Sequence, residues 1–210
     1  MLDPRLSLKR FKSFFGSYAL RNTFIHSKIP YFDQDKNGGK TKKEAELWSK
    51  NGCGMACLKM VLSYQGKGRS VKGEEKCTIS ELGRMCISYG GYTPNKETLD
   101  GLFYSPFLRF IKQEFGLDGK IISTMILQDI LKELSDKNFV IASVTPEIRN
   151  QDKKPLKKGG HLILITGYDL ERQVLYFHNP SDPKKDKNYR QISFSIFNKF
   201  FANRGIIIYI

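Results

Sequence analysis

The sequence predicts an α+β protein, helical in its first half and built on an antiparallel sheet in its second. The stretch "NGCGMACLKMVLSY" (51–64) repeats apolar residues at three- and four-residue intervals, the period of a helix with one buried face. From residue 139 onward, the runs "FVIASVT", "GGHLILITGYD", "VLYFHNP", "QISFSIF" and "GIIIYI" are β-branched or aromatic and are separated by turn residues. Strands that follow helices, instead of alternating with them, form segregated layers.

Taken in order, residues 1–32 are basic and aromatic without a clean period and read as an arm or an early strand-plus-helix, with an N-terminal arm expected at 1–28. "DQDKNGGKTKKEAELWSKNG" (33–52) reads as a polar, mobile loop, with Trp48 and the Gly38-Gly39 pair as loop features. A helix then starts at Cys53, with Met55, Leu58, Val61 and Leu62 on its buried face. In "TISELGRMCISYGG" (78–91), Thr78 followed three residues later by Glu81 is a capping-box pattern, and the closing glycines stop the helix. Two more helices are expected, from about Pro106 to Phe115 and from about Met125 to Leu134. "GYDLERQVLYF" reads as a hairpin joining two strands, and "QISFSIF" as a further strand.

At 210 residues the chain has the size of one domain, or of one domain with an extra arm. Hydrophobic residues at 40% and charged residues at 27% exclude the disordered and fibrous classes. No apolar run approaches the ~20 residues needed to span a bilayer. The first residues lack an unbroken apolar core with a cleavage site, which points to a cytoplasmic protein or to export by a signal outside this chain. The net charge of +14 is scattered over segments of loop composition, so it reads as a solvated surface with weak attraction for polyanions. A nucleic-acid-binding protein would need a motif that this sequence lacks. Of the four cysteines, Cys57, Cys77 and Cys86 are expected to pack in or near the core. No disulfide, metal or organic cofactor is expected.

Cys53 differs in its setting. It lies between Gly52 and Gly54 at the mouth of a helix, where unpaired N–H groups amount to roughly half a positive charge and favour a thiolate. A base could come from His161, which follows "KKPLKKGG" and opens an apolar strand. An antiparallel hairpin places the start of that strand beside the end of the next, so Asn179 comes near His161 and can orient its ring. Asp182 is the alternative orienter.

In their order, "GCGMACLKMVL", "GGHLILITGYD" and "LYFHNPSDP" resemble the papain-like cysteine peptidases of the bacteriocin-processing, double-glycine-leader type, especially the stand-alone relatives of those enzymes. The resemblance covers residues 29–210 and implies a papain-like peptidase domain there, preceded by the arm at 1–28. It implies that Cys53 is the nucleophile, His161 the base, Asn179 the orienter and Gln34 a contributor to the oxyanion hole. Many relatives carry Asp in place of Asn179, and Gln34 lies farther from the Cys than the processing peptidases place their Gln, a spacing that falls on Leu47 here. The activity implied is a cysteine peptidase or amidase that acts on a peptide or protein substrate through an acyl-enzyme. Acyl transfer or transamidation would use the same machinery, and a non-catalytic peptide-binding module is the other alternative.

Overall fold

In the computed structural model, which describes residues 20–36, 41–67, 77–94, 99–155, 157–182 and 189–210, the first helix opens at Thr41, whose side chain accepts the N–H of Glu44 at 3.2 Å. This helix, α1 (Lys42–Asn51), occupies much of the stretch expected to be a loop. Its composition is polar because a single large residue, Trp48, anchors it in the core at 1% exposure. Trp48 is therefore a packing residue and not a loop feature; Gly38 and Gly39 lie outside the described residues. Gly52 ends α1 and caps α2 (Cys53–Tyr64), so the two helices are separated by one residue. A Cβ at Gly52 would lie 2.4 Å from the Trp48 carbonyl oxygen, which is why that hinge carries no side chain.

Residues 54–62 of α2 are all buried, including Lys59, whose ammonium sits 4.3 Å from the centre of the Phe32 ring. The capping box of α3 (Ile79–Ser88) is present in both directions between Thr78 and Glu81. Helices α4 (Tyr104–Phe115) and α5 (Leu127–Ser135) fall within two residues of the boundaries expected from the sequence.

Among the described residues the sheet has strands β1 (Thr23–Ile25), β2 (Gly119–Ile122), β3 (Phe139–Val144), β4 (His161–Asp169), β5 (Val174–His178), β6 (Arg190–Ser193) and β7 (Phe201–Ile208). Their order is β2-β7-β3-β4-β5-β6, and every pairing is antiparallel. β3 pairs with the first half of β4 and β1 with its last three residues. Residues 1–19 of the expected arm lie outside the described residues, whereas Thr23–Ile25 belong to the sheet.

The segment "QISFSIF" departs from expectation, because only its start is strand. Ser193 accepts the N–H of Ile196 at 3.3 Å and caps helix α6 (Phe194–Phe200), which buries Phe194, Phe197 and Phe200 at helical spacing. Along β3, Phe139 and Ile141 enter the core beneath α1–α4, while Val140, Ala142 and Val144 enter the core beneath α5 and α6. Coverage on both faces explains why the strands read as continuous apolar runs. The α+β class holds, with helices on both sides of the sheet.

At the end of β5, His178 is fully buried between the rings of Tyr31 and Tyr189, at centroid distances of 5.8 and 4.6 Å, and neither of its nitrogens has a hydrogen-bond partner among the described residues. Burial pulls its pKa down to about 4. A histidine that is neutral when folded and titrates near ~6.5 when unfolded contributes stability that is whole above ~6.5 and lost as pH falls toward 4, about 3 kcal/mol in all. Replacing His178 with Phe should therefore flatten the fall in Tm between pH 6.5 and 4. An unchanged slope would show that His178 does not titrate with unfolding.

Candidate active site

The site starts from two close approaches of backbone. Cys53 is the first residue of α2, and a Cβ at Gly54 would meet Leu102 Cδ2 at 2.7 Å and Leu162 Cδ1 at 3.2 Å. Glycine at position 54 thus lets the start of β4 lie against the start of α2. On the strand side, Gly159 and Gly160 hold φ values of +87° and +93°, a region open to glycine, and they turn the chain directly into His161. Cys53 and His161 line one cleft of about 730 Å³, walled by Tyr92, Leu102, Phe103 and Leu162, with Lys50 and Arg204 at its rim.

Burial pushes the Cys53 thiol up, and this outweighs the opposing pull of the Leu162, Gly54 and Cys53 backbone groups and of Arg149. Desolvation therefore opposes the pull of the helix end on the thiol and is the larger of the two effects. Burial likewise lowers His161 to about 4, with Arg149 acting in the same direction and the Asn179 hydrogen bond opposing. Burial thus works against charge on both members of the pair.

His161 Nε2 lies 2.7 Å from Asn179 Oδ1. The backbone N–H of Ser181 donates to that same atom at 3.2 Å, and a backbone N–H can only donate, so the atom is the amide oxygen. His161 must then carry its proton on Nε2, which leaves Nδ1 as the basic nitrogen.

The other expected site residues sit nearby in different roles. Asp182 is buried and ion-paired with Arg190. Gln34 is buried between α1 and the Asn179-Pro180 corner: its backbone N–H donates to Pro180 O at 2.9 Å, and its side-chain amide donates to the carbonyl of Ser49. Leu47 packs at the edge of the core. Cys57 is buried, with Sγ 3.9 Å from Leu162 O, and burial raises Cys86 to about 12; none of the four cysteines is in a disulfide.

Two polar residues of the site carry no sequence signal. Arg149, at the end of a 3-10 turn (Pro146–Arg149), donates from Nε and Nη2 to Ser181 Oγ at 2.9 and 2.7 Å. Ser181 Oγ in turn lies 3.2 Å from His161 Nε2. Nothing in "PEIRN" marks that arginine, because its partner lies 32 residues later.

The family model described as "Peptidase_C39 like family" matches residues 26–206. Among solved structures, the chain is similar to a Bacillus anthracis protein described as a C39-like peptidase, with a TM-score of 0.57, 14% identity, and 90% of this chain and 98% of that chain covered. Similarity to the peptidase domain of Streptococcus ComA, a bi-functional ABC transporter involved in a quorum sensing pathway, gives a TM-score of 0.49 at 16% identity, over 75% of this chain and 90% of that one. UfSP from C. elegans gives 0.54 at 10% identity over 98% of this chain, which spans 36% of that protein. At these identities the structural likeness is one of fold. No curated protein sequence matches the chain.

Proposed function

From the chain's membership of the Peptidase_C39 like family, we propose that it is a cysteine peptidase or amidase whose reacting pair is Cys53 and His161, with Asn179 as the orienting group. The observation that carries this reading is the 2.7 Å bond from His161 Nε2 to Asn179 Oδ1, made by a histidine that shares its cleft with the cysteine at a helix start. A peptide lies in the cleft with its scissile carbonyl at the start of α2. Cys53 Sγ attacks the carbonyl carbon while its proton moves to His161 Nδ1, and the backbone N–H of Cys53 stabilises the oxyanion. Gln34 would be a second donor only if its side-chain amide left the Ser49 carbonyl to which it donates. His161 then protonates the departing amine, and water, deprotonated by the same nitrogen, hydrolyses the thioester.

Because the His161 pKa is low and the thiol's is high, the pair holds a single proton over a wide pH range, whichever atom carries it. Iodoacetamide should therefore alkylate Cys53 at a rate that rises near pH 4 and is level from about pH 5 to 8. In His161→Ala the level region should vanish, leaving a slow rate that climbs only at alkaline pH. Equal profiles in the two proteins would overturn the pairing.

A further inference from the structure

We propose that Arg149 is a positioning residue, which keeps the His161 Nε2 proton on Asn179 by occupying Ser181 Oγ with its two guanidinium N–H groups. The proposal rests on the reading of Cys53 and His161 as the reacting pair.

Ser181 Oγ is the one other hydrogen-bonding atom seen within reach of His161 Nε2 among the described residues, at 3.2 Å against 2.7 Å for Asn179 Oδ1. A serine hydroxyl has two lone pairs and one proton. With lone pairs free, Ser181 competes for the Nε2 proton and draws the ring away from Asn179. With its lone pairs taken, it can only donate. One route is to His161 Nε2, which would force the proton to Nδ1 and leave the imidazole without a basic nitrogen for Cys53. The Ser181 backbone N–H blocks this route, because it fixes the Asn179 oxygen opposite Nε2, and that oxygen requires an Nε2 proton. The hydroxyl therefore turns to Asn179 Oδ1, 3.4 Å away. The fork from Arg149 thus makes Ser181 a donor and leaves Asn179 as the sole acceptor for His161.

The guanidinium charge also acts on both members of the pair, favouring the Cys53 thiolate and disfavouring a charged His161. The other ionisable groups around the corner are already balanced or distant in effect. Asp182 is ion-paired with Arg190, Tyr31 is pushed further from ionisation by burial and gives its hydroxyl proton to Asn179 O, and Arg204 and Lys50 stand at the cleft rim. Arg149 itself does not line the cleft.

The test uses iodoacetamide labelling of Cys53 in the full chain across pH 4–9. In Arg149→Met the acid limb should move up by about one pH unit as the repelling charge is removed, and the level rate should fall by between about 10-fold and 100-fold as the ring loses its single orientation. Arg149→Lys keeps the charge without the fork, so it should hold the limb at the wild-type position and still lower the level rate. Ser181→Ala removes the competing acceptor, and in that background Arg149→Met should no longer lower the level rate. Should Arg149→Met fail to fold, the lysine variant decides alone, since a wild-type rate in Arg149→Lys overturns the role of the fork. A level region that depends on His161 but is unmoved by any Arg149 substitution overturns this proposal only. Absence of that region in the wild type overturns the reacting pair, and this proposal falls with it.

Discussion

Cys53→Ala and His161→Ala should each lower turnover of a peptide substrate by at least about 10³-fold, and the double variant should be little worse than either single one. On the proposed reading the thiol has no acceptor for its proton without His161, and His161 has no nucleophile to activate without Cys53, so the two residues act as a unit. Both sit at the first position of their elements, Cys53 on α2 and His161 on β4, where a truncated side chain leaves the helix and strand hydrogen bonds in place. Far-UV circular dichroism and Tm should therefore stay close to wild type while activity disappears. Multiplicative losses in the double variant would mean that the residues work independently. For His161→Ala, loss of a buried imidazole with a low pKa should also reduce acid sensitivity, in the same sense as at His178.

The second large effect lies at Trp48. Trp48→Ala should destabilise the protein by about 3–5 kcal/mol, the usual range for removing a large aromatic side chain from a packed core. The indole fills the space beside Gly83, where a Cβ would come within 2.0 Å of its ring, and it meets Tyr92 edge-on at 5.5 Å. Tyr92 is a wall of the cleft, and its hydroxyl donates to Asn51 O at 3.3 Å, two residues before Cys53. The cavity left by the indole thus opens directly behind the site. Urea denaturation gives the measurement; a loss below about 1 kcal/mol would show that α1 is not held by this anchor. Adding volume at the same contact, as in Gly83→Ala, should also destabilise the fold, because the ring has nowhere to move.

Most of the site's skeleton was legible because it depends on local rules. Helix period and flanking glycines placed Cys53, a glycine-rich turn into an apolar strand placed His161, and antiparallel pairing brought Asn179 to it. What escaped notice depends on contacts distant in sequence or on burial. α1 looked like a loop because one tryptophan supplies its anchor and the rest of its surface is polar. "QISFSIF" fits a strand and a helix equally well until Ser193 is seen capping Ile196. The Arg149–Ser181 contact pairs residues with no mutual pattern. A sequence reveals the helix end at Cys53 and its partial charge, but not the desolvation that opposes it.

The position of β7 also bears on the order in which the molecule can assemble. β7 is the last of the described strands in sequence, yet it lies between β2 and β3, where it joins edge to interior. A ribosome delivers β7 after every other described strand, so β2 and β3 remain without their shared neighbour until it has emerged. The contact of Tyr31 with Asn179 spans 148 residues and has to wait in the same way. Such long loop closures slow folding and expose apolar strand edges to other chains in the interval. Cys53 is likewise made well before His161, so in the nascent polypeptide the proposed pair can form only after β4 has been delivered.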